Sequence, residues 1–274
     1  MVRHCAESAG DAGGAVTLGH GLPESHTTVA LRRAGAAFLD LLLPRVCAAC
    51  GRALQSSDKE VICGRCWSRV EILPSPQCRR CGHPLPEVGA CAWCALLPPF
   101  VRAVRSVCGV HAGAGLSIVG ALKYDGWTAA AGGMADRMAR VAWPRDVIDE
   151  RAAVVPVPLA PARLRERGYN QSELLARRLA QHWSLPVWTT CIERARATTT
   201  QTQLTPAERR RNVSGAFRAV PGAVNFRGAH LVLVDDVVTT AATLNECATA
   251  LHGAGARIVS YVTFGRAPAL GDRW

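Results

Sequence analysis

Near the C-terminal end, one stretch constrains the fold more than any other: His230-Leu231-Val232-Leu233-Val234-Asp235-Asp236-Val237-Val238-Thr239-Thr240-Ala241-Ala242-Thr243-Leu244. Residues 231–234 form a short apolar run of the kind found in a strand buried in a parallel sheet. Two adjacent acids end it, a turn of small and hydroxylated residues follows, and residues 244–251 keep helical spacing up to Gly253. A helix N-terminus leaves backbone N–H groups open and so receives anions. Two carboxylates at a strand's carboxyl end accept hydrogen bonds from a diol. Two readings fit: a buried strand with an Asp helix cap, or one element that grips a sugar by its hydroxyls and the sugar's phosphate by the helix end. Thr239, Thr240 and Thr243 in register favour the second.

The chain has 274 residues, enough for a full α/β core plus a smaller module. Its apolar fraction of 49% excludes a disordered protein. No uninterrupted apolar run approaches the roughly 20 residues of a membrane span. Residues 1–28 carry His, Glu and Asp without an apolar signal core, and are read as a disordered leader or as translation from an upstream start. A cytoplasmic protein is therefore expected. The net charge of +11 attracts phosphorylated ligands, single-stranded nucleic acid or both. All 32 basic residues except Lys59 and Lys123 are Arg, a skew that accompanies GC-rich coding and weakens any inference from Arg as such.

Of 12 cysteines, eight fall into Cys-x-x-Cys pairs: Cys47/Cys50, Cys63/Cys66, Cys78/Cys81 and Cys91/Cys94. Without an export signal such pairs favour zinc over disulfides. The first and third pairs each carry Gly directly after the second cysteine, as zinc ribbons do, so the module is an internal repeat. Pairing first with second and third with fourth yields two closed sites of four cysteines each, which hold structural zinc; a cross-braced pairing is the alternative. Arg45, Arg52, Arg65, Arg79 and Arg80 lie close enough in sequence to offset the thiolates. Cys5, Cys108, Cys191 and Cys247 are scattered and read as small buried hydrophobes.

Residues 29–43 read as a short helix packed on the zinc module. Residues 101–110 alternate like an edge strand, and two helices follow, over 116–122 and about 128–142, the second stopped by Trp143-Pro144. Residues 152–158 are the next buried strand. It opens into a loop, 159–169, carrying Arg163, Arg165 and Arg167, whose guanidinium groups suit pyrophosphate. A helix starts at Asn170-Gln171-Ser172. Residues 194–217 are polar and without period, as a mobile lid is, and 257–264 close the sheet.

The Asp-Asp block resembles the signature of phosphoribosyltransferase-fold proteins that bind phosphoribosyl pyrophosphate (PRPP). That resemblance implies Asp235 and Asp236 on the ribose 2′ and 3′ hydroxyls, and Thr239, Thr240, Ala241, Ala242 and Thr243 around the 5′-phosphate. The pattern has Gly where this chain has Ala241; Ala in the left-handed region costs roughly 1 kcal/mol or more, which predicts weaker phosphate binding. Taken together with the cysteine repeat, Leu122-Lys123-Tyr124, Pro156-Val157-Pro158-Leu159, Arg163-Leu164-Arg165-Glu166-Arg167-Gly168-Tyr169-Asn170-Gln171, the Arg194 to Leu204 pattern and residues 209–217, the chain resembles the ComF family of late-competence proteins over residues 38–265.

The resemblance implies an α/β fold, a doubly wound parallel sheet of phosphoribosyltransferase type with an N-terminal double zinc ribbon. The expected division is a leader at 1–28, a helix plus ribbon at 29–98 and the phosphoribosyltransferase-fold domain at 99–267. It further implies Mg²⁺ with PRPP, Lys123 and Tyr124 at the ligand, and Arg163, Arg165 or Arg167 on departing pyrophosphate, in a phosphoribosyl transfer. The second hypothesis is a non-catalytic protein of DNA uptake that senses PRPP and binds single-stranded DNA, acting with DNA-uptake proteins. There Trp67 and Trp93 would stack on bases, or else cover the zinc knuckles.

Overall fold

The computed structural model describes residues 44–55, 58–85, 91–196 and 206–268. The leader, the helix expected over 29–43 and the middle of the expected lid, 197–205, lie outside them.

Four strands, β1 (Val101–Gly109), β2 (Arg151–Pro156), β5 (His230–Val238) and β6 (Ile258–Arg266), form a sheet ordered β1-β6-β5-β2. Every pairing in it is parallel. Two short strands, β3 (Ile192–Arg194) and β4 (Phe217–Ala219), make a separate antiparallel pair. The helices are α1 (Gly64–Ser68), α2 (Gly113–Lys123), α3 (Ala130–Met138), α4 (Arg145–Glu150), α5 (Pro161–Arg167), α6 (Gln171–Trp183), α7 (Pro206–Val213) and α8 (Ala242–Gly253), with a 3₁₀ turn at Ala92–Leu96. Among the described residues no helix is long and apolar enough to cross a membrane.

The run at 231–234 is apolar at every position because both faces of β5 are covered. Leu231 and Leu233 join a cluster with Leu244, Cys247, Ala248 and Leu251 of α8. Val232 and Val234 join another with Ile118 and Leu122 of α2, Met134 of α3 and Leu175 of α6. The sheet is doubly wound.

Four expectations need correcting. β6 does not close the sheet but lies inside it, between β1 and β5. Pro144 does not merely end a helix: it caps the start of α4, with Asp146 in its first turn. Residues 161–167 are the helix α5 rather than a loop, with a proline in its first turn and Gly168 at φ 81° as its left-handed cap. The polar stretch at 194–217 contains α7 among its described residues, and its ends are the last residue of β3 and the first of β4.

β1 does lie at a sheet edge, but seven of its nine residues are buried. The cysteine module covers it. Gly109 donates its N–H to Glu71 O at 3.0 Å, and Val104 to Arg80 O at 2.9 Å. Gly82 follows the third cysteine pair at φ +64°, and a Cβ there would stand 2.7 Å from Val104 O, so the knuckle's turn and its seat on the strand both demand glycine. Arg105 on β1 fastens the joint. It donates to Arg79 O at 2.9 Å, Arg80 O at 3.2 Å and Ala142 O at 2.7 Å, with Trp143 beneath its guanidinium.

Arg105→Met removes the charged donor from the Arg79 and Ala142 carbonyls, while Arg80 O keeps its bond from the Val104 N–H, and is expected to cost about 2–3 kcal/mol. Arg105→Lys does not restore it, because an ammonium lacks the planar fork that spans them. Urea denaturation of the zinc-loaded chain measures both; a loss for Arg105→Met below about 0.5 kcal/mol, the level of an ordinary surface change, removes Arg105 from this role.

Candidate functional site

The carboxyl ends of β2 and β5 open into a cavity of about 300 Å³. Its lining includes Asp235, Asp236, Thr239, Thr240, Ala241, Ala242 and Thr243, together with Lys123. One strand end, one turn and one helix start thus bring the sequence-derived residues to a common concavity, as ligand sites of open α/β sheets are built.

The two acids take different partners. Lys123, last residue of α2, places Nζ 3.0 Å from Asp236 Oδ1. Ser172 donates Oγ–H to Asp235 Oδ1 at 2.8 Å, and the Asp236 N–H donates to the same oxygen at 2.9 Å. Burial, reinforced by the Asp236 charge, pushes the Asp235 carboxyl up to about 7, against the pull of Lys123 and Ser172. For Lys123 burial works against the ammonium, but Asp236 and Asp235 outweigh it and hold its pKa above the ordinary lysine value.

Asp236 Oδ2 and Thr240 Oγ1, both buried in the cavity wall, have no hydrogen-bond partner among the described residues. Such orphans are costly: the carboxylate oxygen calls for a donor and the hydroxyl for a partner of its own. Ala241 sits at φ 57°, ψ 9°, the left-handed region foreseen from its sequence position. It precedes α8, whose start has no side-chain cap, so the first N–H groups of the helix face the turn unclaimed by a capping side chain.

Sequence reasoning named Asn170, Gln171 and Ser172 only as a helix start. Asn170 does cap α6, accepting from Ser172 N at 3.1 Å, and its Nδ2 donates to Val157 O at 3.0 Å. This tie draws Gln171 and Ser172 to the cavity wall. Arg194, from the polar stretch, lines the cavity as well.

The arginines divide. Arg163 and Arg167 line a second cavity of about 180 Å³ with Tyr124, Tyr169 and Lys123, which borders both cavities. Arg165 is exposed and lines neither. Residues four apart on α5 share a face and the residue between them does not, so helix formation selects two of the three. Tyr169 donates its hydroxyl to Leu122 O, next to Lys123.

The cysteines gather as Cys47, Cys50, Cys63 and Cys66, and as Cys78, Cys81, Cys91 and Cys94. Around zinc, Zn–S bonds of about 2.3 Å in a tetrahedron set sulfurs about 3.8 Å apart. Here Cys47 and Cys66 lie 3.8 Å apart, Cys50 and Cys63 3.9 Å, and Cys78 and Cys94 3.4 Å. The Cys63 N–H also donates to Cys47 Sγ at 3.3 Å, as ribbon knuckles require. The donor sets fit structural zinc, with every tetrahedral position taken by a thiolate. Trp93 is buried, stacked on His83 and covered by Arg266, while Arg137 lies over Trp67. Both tryptophans serve as cover for the knuckles here.

A doubly wound sheet with an acidic strand end meeting an uncapped helix start, bordered by cysteine tetrads, defines a phosphoribosyltransferase-fold protein with a double zinc ribbon. Comparison with known proteins agrees. Residues 38–95 match the double zinc ribbon domain and residues 168–274 the phosphoribosyl transferase domain. "DNA utilization protein YhgH" of Salmonella typhi is 35% identical over 231 residues, 80% of this chain and 96% of the relative. "Competence protein F" of Haemophilus influenzae is 38% identical over 103 residues, 38% of this chain and 45% of the relative. A YhgH of Escherichia coli K12 is 42% identical over 107 residues, again 45% of that relative's length. The chain belongs to the ComF family.

A carboxyl held above its ordinary value costs folding free energy that accumulates over the pH range where the unfolded chain is ionised and the folded one is not, and that stays in full at higher pH. For Asp235 that penalty grows as pH rises from about 4 and is complete once pH passes about 7. Asp235→Asn is therefore expected to raise the melting temperature at pH 8, by at least about 2 °C, and to raise it less at pH 5. Calorimetric melts at both values check this; an equal shift at the two removes the buried-carboxyl argument.

Proposed function

We propose that this protein binds PRPP, or a ribose 5-phosphate nucleotide, with Mg²⁺, and transfers the phosphoribosyl group to an acceptor with release of pyrophosphate. In this reading residues 29–98 form the zinc module and 99–267 the transferase domain. The observation that carries it is the pair of orphaned buried atoms, Asp236 Oδ2 and Thr240 Oγ1, in one cavity at the end of β5.

Each residue then has a task. Asp235 and Asp236 accept hydrogen bonds from the ribose hydroxyls. The turn 239–243 and the open start of α8 hold the 5′-phosphate. As the C1–O bond breaks, its electron pair leaves with pyrophosphate, and Lys123, Arg163 and Arg167 receive the departing charge. The nearby carboxylates favour the positive charge that grows at C1. The acceptor's nucleophile closes the new bond to C1 and gives up its proton to the departing pyrophosphate. Mg²⁺ would be held beside the carboxylates of Asp235 and Asp236 and would supply neutralising charge to the polyanion PRPP. Arg165, carried over from the resemblance with its neighbours, has no place at either cavity.

The names of the relatives favour a second reading: a PRPP-sensing protein of DNA uptake, with single-stranded DNA held by the cationic surface. A steep fall of single-strand affinity with salt supports it, and salt-independent binding removes it.

Isothermal calorimetry with PRPP and Mg²⁺ tests the first reading. Asp236→Asn is expected to weaken binding by at least about tenfold, the consequence of losing a charge-assisted hydrogen bond. Ala241→Gly, which frees the backbone to approach phosphate, is expected to strengthen it severalfold. Equal binding by wild type and Asp236→Asn places the ligand elsewhere. A screen of nucleobases and amines that yields no pyrophosphate with any acceptor leaves binding intact but ends the transfer reaction.

A further inference from the structure

The phosphate turn is held at both ends by contacts that lead to the second cysteine tetrad. At its exit, Asn245 in the first turn of α8 donates Nδ2–H to Leu96 O at 2.7 Å. Leu96 ends the 3₁₀ turn that contains Cys94. Tyr261 on β6 donates its hydroxyl to Asn245 Oδ1 at 3.0 Å, which fixes the amide's orientation. At the entry, Val238 is the last residue of β5 and is paired with Arg266, the last of β6. Arg266 is fully buried, donates to Cys81 O at 2.6 Å and lies 4.4 Å over the Trp93 ring. The next residue, Ala267, donates its N–H to Val238 O at 2.9 Å.

The two tetrads serve opposite faces of the sheet. Cys81 and Trp93 share a cluster with Ala241, Ala242 and Leu244. Cys47, Cys63 and Cys66 belong to the other cluster, with α2 and α3. Ala241 needs such a bracket, because its left-handed backbone is strained and persists only where the surroundings dictate it.

We propose that Asn245 and Arg266 are positioning residues through which the second tetrad, rather than the first, sets the backbone of the phosphate turn. The inference rests on the pentose-phosphate reading above, and it makes ligand affinity depend on the state of a metal site that does not touch the ligand. The coupling is reciprocal, so a ligand on the turn also changes the environment of the second tetrad.

The test uses the full chain with both tetrads loaded with ¹¹³Cd, one resonance for each, the first identified by Cys50→Ser. Ribose 5-phosphate is the probe. It is expected to move the second resonance and leave the first in place. Asn245→Ala is expected to lower affinity for ribose 5-phosphate by about tenfold and to abolish that movement. Tyr261→Phe keeps the Asn245 donor but frees its orientation; a loss of roughly threefold is expected, and this variant serves if Asn245→Ala fails to fold. Arg266→Lys retains charge but cannot reproduce the guanidinium's bond and stacking, and is expected to lose affinity in the same direction. Unchanged affinity in these variants with an unmoved second resonance overturns the coupling while leaving the pentose-phosphate reading intact. Equal movement of both resonances overturns the assignment to the second tetrad. A wild-type chain that gives no heat with ribose 5-phosphate or PRPP overturns the pentose-phosphate reading, and the coupling with it.

Discussion

The open edge of β1 is the constraint on which the rest of this structure depends. A parallel sheet covered on both faces still presents unpaired N–H and C=O groups along its outer strands. At β1 the ribbon meets that demand with backbone bonds from Gly109 to Glu71 and from Val104 to Arg80. At β2 the segment 186–188 does the same, Val154 donating to Pro186 O and accepting from Trp188. A strand edge separates two faces, and a single knuckle pair reaches one of them. The doubled ribbon straddles the edge, with Cys47, Cys63 and Cys66 on the side of α2 and α3, and Cys81 and Trp93 on the side of α8. Duplication in the sequence thus answers the two-sidedness of a sheet.

Once the edges are closed, the carboxyl ends of β5 and its neighbour β2 remain to build a site, and there the electrostatics are finely balanced. Two neighbouring carboxylates lose water together and share one ammonium. Lys123 compensates Asp236 directly at 3.0 Å, while Asp235 relies on a hydroxyl and a backbone N–H. The carboxyl of Asp235 therefore keeps a pKa of about 7, and that of Asp236 keeps a buried oxygen without a donor. Both are deficits that a folded protein without a ligand would do better to remove. Their persistence in a cavity is what supports the proposed binding element over a capped strand, the competing reading of the same residues.

What could be read from the sequence was what depends on near neighbours. Strand, acids, turn and helix are contiguous, so their order over residues 230–253 was legible, and the family's Gly pointed to left-handed backbone at Ala241. The bounds were not, because the acids do not end β5, which runs on to Val238, and α8 already starts at Ala242. The cysteine repeat was legible too, since the spacing of each pair fits one knuckle. Long-range facts were not. The order of strands leaves no local trace, so β6 read as a terminal strand although it is internal. Proline punctuates both starts and stops: Pro144 reads as the stop of α3, which already ends at Met138, but caps α4, and Pro161 opens α5 inside a stretch that reads as a loop. With α5 read as a loop, Arg163, Arg165 and Arg167 looked equivalent; the helical period separates them. Ser172 reads as a cap neighbour until the fold carries it across 63 positions to Asp235.

Ala241 shows why a local departure from a family pattern need not be settled by local cost. The left-handed backbone there strains an L-residue by roughly 1 kcal/mol or more. The same methyl group is buried in the α8 cluster, and burying one such group returns about 0.8 kcal/mol. The two nearly cancel, so alanine and glycine are close to equivalent for folding at this position. What differs is how near a phosphate can come to the backbone and how firmly the turn holds its shape. Under the proposed pentose-phosphate reading the substitution therefore acts on ligand affinity rather than on stability, and the proposed positioning residues Asn245 and Arg266 carry more of the burden of shaping the turn.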